Sequence, residues 1–350
     1  MQSRLFKAIR KPAILAATAT LAVCQLAVDS SADDRPAKQV FGAIALPEQG
    51  TPQSIGYYAN GCLAGAVALP TDGPSWQVMR LSRNRRWGHP ELVTWIEQYA
   101  GDVARNDGWP GILIGDMSQP RGGPMASGHA SHQVGLDVDI WLQPMPNHRL
   151  SADEREKLSA QSLLKKNARL TVDPAKWNDS YADMIVRAAN YPEVQRVFVN
   201  PSIKKKLCET WTGSRANFGK LRPYYGHDDH IHVRLFCQPG SPDCKKQAAV
   251  PADDGCGKEL AWWYSDEPWA PPKKPEKPTK PAPKPHVKTL ADLPKACTAV
   301  VNGPSVASVD AATFRSGAAP ASPATAFAPA EPSATGAFDV PVPLPRPGGQ

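Results

Sequence analysis

Two segments of the chain alternate strictly between apolar and polar positions, and this pattern predicts two β-strands that each bury one face. They are LDVDIWL (residues 136–142), with two aspartates on its polar side, and HIHVRLF (residues 230–236), with two histidines on its polar side. Five of the eight histidines lie in the windows 129–132 and 227–232. If the strands pair with both apolar faces on the core, their polar faces share one side of the sheet, because side chains alternate between faces. Opposed residues then lie about 4.5–5.5 Å apart at Cβ, so the two clusters would form one site.

The residue types in these clusters are those of a metal centre. His230 and His232 are two positions apart and point to the same face of their strand. Asp137 and Asp139 do the same on the other strand, and His132 lies in the loop just before it. A His, Asp, His set with an open fourth position is typical of catalytic zinc, whereas structural zinc prefers four protein ligands, usually with cysteine. No H-E-x-x-H motif is present, so acid–base catalysis would fall to histidines outside the ligand set.

The remaining pattern predicts an α+β domain. Helices are predicted over 89–109, 180–191 and 201–211, and short apolar runs predict strands over 112–114 and 194–200. Residues 33 to about 60 show no regular pattern and are interpreted as an irregular lead-in. Helices and short strands in this order favour a central antiparallel sheet that carries the site and is flanked by helices.

The two ends of the chain differ from its body. The first 32 residues combine basic residues with an apolar run, Ala13–Val23, that is too short to span a bilayer. They are interpreted as a signal peptide, which predicts export to the periplasm without a membrane-spanning segment in the mature protein. The enzyme domain is placed at 33–302, including a Pro/Lys-rich segment at 271–288, and an Ala/Pro-rich tail at 303–350 is predicted to be disordered.

The formal net charge of +7 lies outside the body of the chain. Six lysines and one glutamate give residues 271–288 a charge of +5, and four basic residues and one aspartate give the first 32 residues +3. Subtracting both leaves the body near −1. This charge argues against a nucleic-acid partner.

Six cysteines follow the signal segment: Cys62, Cys208, Cys237, Cys244, Cys256 and Cys297. An even number in an exported chain favours disulfide bonds, with fifteen pairings open. A zinc–cysteine site is the competing interpretation. It is disfavoured because the chain has no C-x-x-C pair and because thiolates are oxidised in that compartment.

The motifs SGHASHQVGLDVDIW and GHDDHIHVRL resemble those of the penicillin-insensitive murein endopeptidases. This family is a branch of a group of zinc peptidases that also includes lysostaphin-type enzymes and D-alanyl-D-alanine dipeptidases. The group is marked by H-x(6)-D followed by H-x-H, which His132 and Asp139 match together with the His230–His232 segment. The resemblance extends through MRLSRNRRWGHPELV, LIGDMSQPRGGPM and CGKELAWWYSDE, over roughly residues 40–300.

This resemblance implies a Zn²⁺ ion bound by His132, Asp139 and His232. It implies that His230 activates water or stabilises the oxyanion, and that His129 and His227 are further active-site residues. The implied reaction is hydrolysis of the D-alanyl–meso-diaminopimelate cross-links of peptidoglycan. A metal-activated water needs no active-site serine, so β-lactams that acylate serine would not inhibit the enzyme.

The resemblance also implies how the cysteines pair and makes a homodimer reasonable. The implied disulfides are Cys62–Cys297, Cys208–Cys256 and Cys237–Cys244. Two other function classes are weighed against an endopeptidase. One is a non-catalytic wall-binding protein that keeps the metallopeptidase fold, and the other is a nucleotide-sugar transferase that uses the D-x-D segment, which export makes improbable.

Several neighbouring residues keep two interpretations. Asp137 would orient a ligand or be purely structural, and Asp228 and Asp229 are expected to shape the turn before the strand. The arginine cluster at 83–86 would bind substrate carboxylates or be structural. The pair Trp262–Trp263 would line a glycan groove or cover the core.

Overall fold

The computed structural model describes residues 34–271 and 286–316. Its strands are β1 Gln53–Tyr57, β2 Asn60–Ala64, β3 Val67–Ala68, β4 Trp76–Val78, β5 Trp87–Gly88, β6 Ile112–Ile114, β7 Asp137–Pro144, β8 Leu164–Lys165, β9 Ala168–Val172, β10 Val194–Val199, β11 Leu221–Pro223 and β12 His230–Leu235. Its α-helices are α1 Ala37–Gly42, α2 Pro90–Asn106, α3 Ala152–Lys157, α4 Asp179–Asn190, α5 Pro201–Thr210, α6 Lys258–Trp263 and α7 Ala296–Asn302. The segment interpreted as a signal peptide and most of the Pro/Lys-rich segment lie outside the described residues.

A six-stranded sheet with the order β11-β10-β12-β7-β6-β4 is the centre of the α+β fold. Its four inner strands are antiparallel, and the pairings at its two edges, β10 with β11 and β4 with β6, are parallel. The two strands predicted from the alternating segments are neighbours, and His232 lies opposite Asp139 in their register. The predicted α+β class and central sheet are therefore confirmed, with the addition of parallel edges.

The helices that flank the sheet form where the sequence signals place them. Pro90 occupies the first turn of α2, and the preceding His89 caps the helix by accepting a hydrogen bond from the Glu91 amide at Nδ1. Gly108, with φ of 71°, follows the helix end. α4 and α5 also begin after capping asparagines, Asn178 and Asn200. Each of the three predicted helices is observed within three residues of its predicted bounds.

The apolar residues of the two alternating strands lie in the main core. Val138 and Ile140 of β7 and Ile231 and Val233 of β12 are fully buried, together with apolar residues of α2 and α4. Burial of such side chains contributes roughly 1.5–3 kcal/mol each. Because the apolar face of both strands packs in the main core, the histidines and aspartates of both strands lie on the opposite face of the sheet.

The region interpreted as an irregular lead-in is regular, and this interpretation was wrong. It contains α1 and strand β1, which pairs with β2 in an antiparallel hairpin. Phe41 of α1 is buried against residues far along the chain, including Leu293 and Val300. A six-residue helix is not stable alone, so long-range packing determines its structure.

The described cysteines pair as the resemblance implied. The bonds are Cys62–Cys297, Cys208–Cys256 and Cys237–Cys244, with Cα–Cα distances of 5.7, 5.8 and 5.7 Å. The first joins residues 235 positions apart and fixes α7 to the β1–β2 hairpin. No helix among the described residues has both the length and the apolar character to cross a bilayer.

The packed chain continues past residue 303, where composition predicted disorder to begin. Ala312 is buried with Val306 and Val309 packed beside it, and the Phe314 amide donates a hydrogen bond to the Ala68 carbonyl. The prediction does not hold for residues 303–316, because a few apolar side chains suffice to fix this segment on the body. Residues 317–350 lie outside the described residues.

Candidate metal centre and active site

Three side-chain atoms from β7, β12 and the loop before β7 converge on one point. His132 Nε2 lies 3.2 Å from His232 Nδ1 and 3.3 Å from Asp139 Oδ1, and His232 Nδ1 lies 3.4 Å from the same oxygen. All three residues are buried, with exposures of 0% for His132, 4% for Asp139 and 5% for His232. The structure therefore brings the three predicted metal ligands together.

Asp139 Oδ1 is a buried polar atom that accepts no hydrogen bond within the described residues. An ionised carboxylate is costly to bury without a partner. The flanking histidines lower the pKa of Asp139 although burial raises it, so the group stays charged. The orphaned oxygen marks a place where a cation would be stabilised.

The second nitrogen of each histidine is held by the protein, which turns the free nitrogen toward the centre. His132 Nδ1 lies 2.9 Å from the Met117 carbonyl, and His232 Nε2 lies 3.0 Å from Asp137 Oδ1. Burial lowers the pKa of His232 to about 4, so its imidazole is neutral at neutral pH. A neutral ring that donates on its outer side presents a lone pair inward, which is the state of a metal ligand.

The backbone at His132 is in a conformation that a residue with a side chain adopts rarely. Its φ is 65°. The loop is fixed there by three hydrogen bonds: the His132 amide donates to Asp137 Oδ2 at 3.0 Å, Ser118 Oγ donates to the His132 carbonyl at 2.6 Å, and Nδ1 donates to Met117. Backbone outliers of this kind cluster at functional sites.

Asp137 links the candidate ligands His132 and His232 to the rest of the sheet. It is fully buried and, besides contacting His232 and the His132 amide, it accepts hydrogen bonds from Arg234 Nε at 2.7 Å and Nη2 at 3.4 Å. The Arg234 guanidinium in turn lies 4.1 Å from the centroid of the Tyr58 ring. Of the two interpretations kept for Asp137, the structure favours the orienting role.

His129 lies on the other side of Asp139 and defines a second potential ligand set. One ligand atom from each of His129, His132 and Asp139 lies within 4.8 Å of the others, so this group could hold a metal ion. However, His129 Nε2 approaches the other carboxylate oxygen, Oδ2, at 3.4 Å, and it already lies 3.0 Å from Asp116 Oδ2. His132 and His232 both approach the same carboxylate oxygen, Asp139 Oδ1, and the three separations among these atoms are 3.2–3.4 Å. These short distances favour His132, Asp139 and His232 as the candidate ligand set over the set that contains His129.

Asp116 holds this second histidine and was not identified from the sequence. It is 4% exposed, and its Oδ2 also accepts hydrogen bonds from Arg85 at 2.8 Å and Arg83 at 3.1 Å. Burial raises the pKa of Asp116, but His129 and Arg85 lower it to a net value of about 2. The only local signal is its position two residues after a short strand.

Replacing Asp116 with asparagine should reduce stability in a pH-dependent way. Its pKa in the folded state lies below the ordinary value of 3.8, so the stabilisation is present above about pH 4 and is lost as pH falls through about 2. We expect Asp116→Asn to lower the free energy of unfolding by roughly 2 kcal/mol near pH 5, with the difference closing near pH 2. Urea unfolding of the chelator-treated protein measures this, with the exposed Asp243→Asn as control. A difference that does not change with pH would contradict the assignment.

His230 lies at the accessible edge of the centre, beside the ligand set. Its side chain is 24% exposed, its Nε2 lies 3.8 Å from Asp139 Oδ1, and its Nδ1 lies 2.6 Å from Asp229 Oδ1. Burial lowers the pKa of His230, but Asp139 and Asp229 raise it to a net value of about 9. Asp229 therefore orients a candidate catalytic histidine, which goes beyond the turn-shaping role expected from the sequence.

His227 completes the cluster, with its ring centroid 4.9 Å from that of His230 and 5.9 Å from that of His232. Its φ is 53°, its Nδ1 donates to the Tyr225 carbonyl at 2.6 Å, and its own carbonyl accepts from the Asn200 amide at 2.9 Å. Burial and the neighbouring histidines lower its pKa well below the usual value. All five histidines of the two sequence windows thus meet in one cluster.

Comparison with known proteins decides the family. The model of the family "Penicillin-insensitive murein endopeptidase" matches residues 54–302, a span that contains the whole cluster. This chain belongs to that family. Three relatives carry the same name: from Haemophilus influenzae, 41% identical over 257 residues (73% of this chain and 85% of the relative); from Pectobacterium atrosepticum, 42% over 269 residues (76% and 90%); and from Yersinia enterocolitica, 43% over 249 residues (71% and 89%).

The arginine cluster at 83–86 and the pair Trp262–Trp263 each include residues with structural roles in this member of the murein endopeptidase family. Arg85 is 10% exposed and paired with Asp116, and Arg86 bonds to the Leu69 carbonyl. Arg83 is 48% exposed and keeps open surface beside its Asp116 contact. Trp263 is buried in an aromatic cluster with Tyr225 and Trp269, whereas the neighbouring Trp262 is only half-buried.

Proposed function

We propose that this protein is a zinc-dependent endopeptidase that hydrolyses the peptide cross-links of peptidoglycan. The observation that carries the proposal is the triangle of His132 Nε2, Asp139 Oδ1 and His232 Nδ1, with its orphaned buried oxygen. Membership of the murein endopeptidase family supplies the substrate class. The bond proposed is the D-alanyl–meso-diaminopimelate cross-link, and the compartment proposed is the periplasm.

The donor set fits zinc. Tetrahedral zinc takes nitrogen and oxygen ligands at about 2.0–2.2 Å, which requires ligand atoms about 3.3 Å apart, and the three separations here are 3.2–3.4 Å. Three protein ligands leave a position for water or substrate, as in catalytic sites. When bound, zinc would supply a Lewis acid that polarises a carbonyl and acidifies water.

The histidines around the ligand set supply the proton-transfer groups. His230 lies beside the centre, with its Nε2 3.8 Å from Asp139 Oδ1, and its protonated ring can donate a hydrogen bond to an oxygen that becomes negative or a proton to the departing amine. Asp229 fixes its ring through Nδ1, which leaves Nε2 for the substrate. His227 and His129 flank the centre on either side and restrict how the peptide approaches.

This arrangement predicts insensitivity to penicillin. β-Lactams inhibit serine-dependent cell-wall enzymes by acylating a nucleophilic hydroxyl, whereas the residues that converge here are histidines and carboxylates. Catalysis by an activated water forms no acyl-enzyme. The proposal therefore predicts cleavage in the presence of a β-lactam.

Digestion of purified cross-linked muropeptide dimers tests the proposal. Zinc-loaded protein should convert dimers to monomers with penicillin present, as read by mass spectrometry. His230→Ala should slow the conversion by about 10²–10⁴-fold, the usual effect of removing an acid–base group. His148→Ala is the matched control, because His148 is 65% exposed and lies outside the cluster. Dimers bound but left intact by the wild-type protein would favour the alternative of a non-catalytic wall-binding protein.

A further inference from the structure

A cavity of about 630 Å³ lies between the β8–β9 hairpin and the loop that precedes β12. Its lining includes Lys165, Lys166 and Lys176 on the hairpin side and Gly226 and Asp228 on the loop side. Gly226 and Asp228 are the immediate chain neighbours of His227. The cavity therefore borders the loop that carries His227 and leads into His230 at the start of β12.

Both walls of this cavity are fixed to each other. The Leu163 amide donates to the Asp228 carbonyl at 2.8 Å, so the hairpin is bonded directly to the loop. Leu163 and Leu164 are buried, and Lys176 Nζ donates to the Ser162 carbonyl at 2.6 Å. On the other side, Asn200 Nδ2 donates to the Gly226 carbonyl at 2.8 Å. The cavity is thus a preformed feature, as ligand sites usually are.

The charge of the lining is positive, although the body of the chain is close to neutral. Three lysines face one aspartate in the lining. Lys165 and Lys166 are exposed, and within the described residues neither forms an ion pair. Two ammonium groups without a carboxylate partner, next to a reaction centre, favour an anionic ligand.

We infer that this cavity is a subsite for carboxylate groups of the peptide substrate, held by Lys165 and Lys166. The inference rests on the proposed function, because a murein cross-link consists of peptide stems that carry free carboxylates beside the scissile bond. The volume lies within the range of about 300–1,000 Å³ for small-ligand sites. A stem whose scissile bond lies at the histidines would extend along the loop into this cavity.

The test compares Lys165→Gln/Lys166→Gln with a matched control, Lys245→Gln/Lys246→Gln. The control pair is also two adjacent exposed lysines, but it lies outside the cavity lining. Binding of the intact cross-linked dimer to chelator-treated full-length protein is measured by calorimetry, and KM and kcat are measured on the zinc-loaded protein. The same dimer with its carboxylates converted to carboxamides is the second ligand.

The hairpin variant should bind the carboxylate dimer about five- to tenfold more weakly, as expected for the loss of two exposed charge contacts. Its KM should rise by a similar factor while kcat stays within about twofold, because the lost contacts stabilise the bound substrate and the transition state equally. The amidated dimer should bind the wild-type protein as weakly as the variant binds the free-acid dimer. The control variant should match the wild type.

The outcomes separate this inference from the proposed function. A hairpin variant that binds both dimers as the wild type does, in a protein that cleaves, would overturn the subsite and leave the endopeptidase function standing. If the wild-type protein binds the dimer more tightly than the hairpin variant does but leaves it intact, this result would support the subsite and count against the endopeptidase function.

Discussion

Replacing Asp139 with asparagine should remove zinc binding and, with it, cleavage of cross-linked dimers. The asparagine keeps the size of the side chain but loses the charge of the orphaned buried oxygen that forms one corner of the ligand triangle. We expect zinc affinity to fall by more than about 100-fold. Loss of a residue that only hydrogen-bonds to a metal ligand already lowers affinity by about 10–100-fold, and Asp139 is a proposed ligand itself.

Thermal unfolding with and without zinc measures this effect directly. Zinc should raise the Tm of the wild-type protein, because a ligand that binds only the folded state stabilises it. The same addition should leave the Tm of Asp139→Asn unchanged. Asp228→Asn is the control, since Asp228 is an aspartate in the loop before the neighbouring strand β12 and lies outside the triangle, and it should respond to zinc as the wild type does. An Asp139→Asn protein that retains one zinc per chain would contradict the assignment.

Replacing Asp137 with asparagine should weaken both the fold and the metal centre. Asp137 is fully buried and accepts from Arg234, His232 and the His132 amide. Without its charge, the buried Arg234 guanidinium is uncompensated, which typically costs about 3–5 kcal/mol. The inward-facing nitrogen of His232 is also no longer fixed, and loss of such a partner typically reduces metal affinity about 10–100-fold.

Two measurements separate these effects. Urea unfolding of chelator-treated protein at neutral pH should show the loss of stability, and competition with a chromophoric chelator should show the loss of zinc affinity. Asp153→Asn is the matched control, because its ion pair with Lys157 is 69–74% exposed and exposed pairs contribute at most about 1 kcal/mol. Wild-type zinc affinity in Asp137→Asn would show that its contact with His232 does not orient the ligand.

The part of the site that local pattern encodes could be predicted from the sequence. Strict alternation in the segments 136–142 and 230–236 determines which side chains face the apolar core, because the side-chain period of a strand is two. Pairing of these strands then places His232 opposite Asp139, as observed. The same reasoning extends to α2, whose proline and glycine signals lie at its ends.

The rest depends on contacts between distant parts of the chain. Asp116 and Asp229 lie in loops, where an aspartate usually serves a turn, and only the folded structure shows that they hold His129 and His230. Helix α1 is too short for a periodic pattern and is stabilised by residues near the other end of the chain. The parallel edge strands β4 and β11 have three residues each, too few to reveal their direction.

The central claim is that one zinc ion is held by His132, Asp139 and His232. Anomalous diffraction at the zinc edge, from crystals of the purified zinc-loaded protein, tests it most directly. The account predicts one peak within about 2.0–2.2 Å of His132 Nε2, Asp139 Oδ1 and His232 Nδ1. A peak coordinated by His129 in place of His232, or no peak at this cluster, would contradict it.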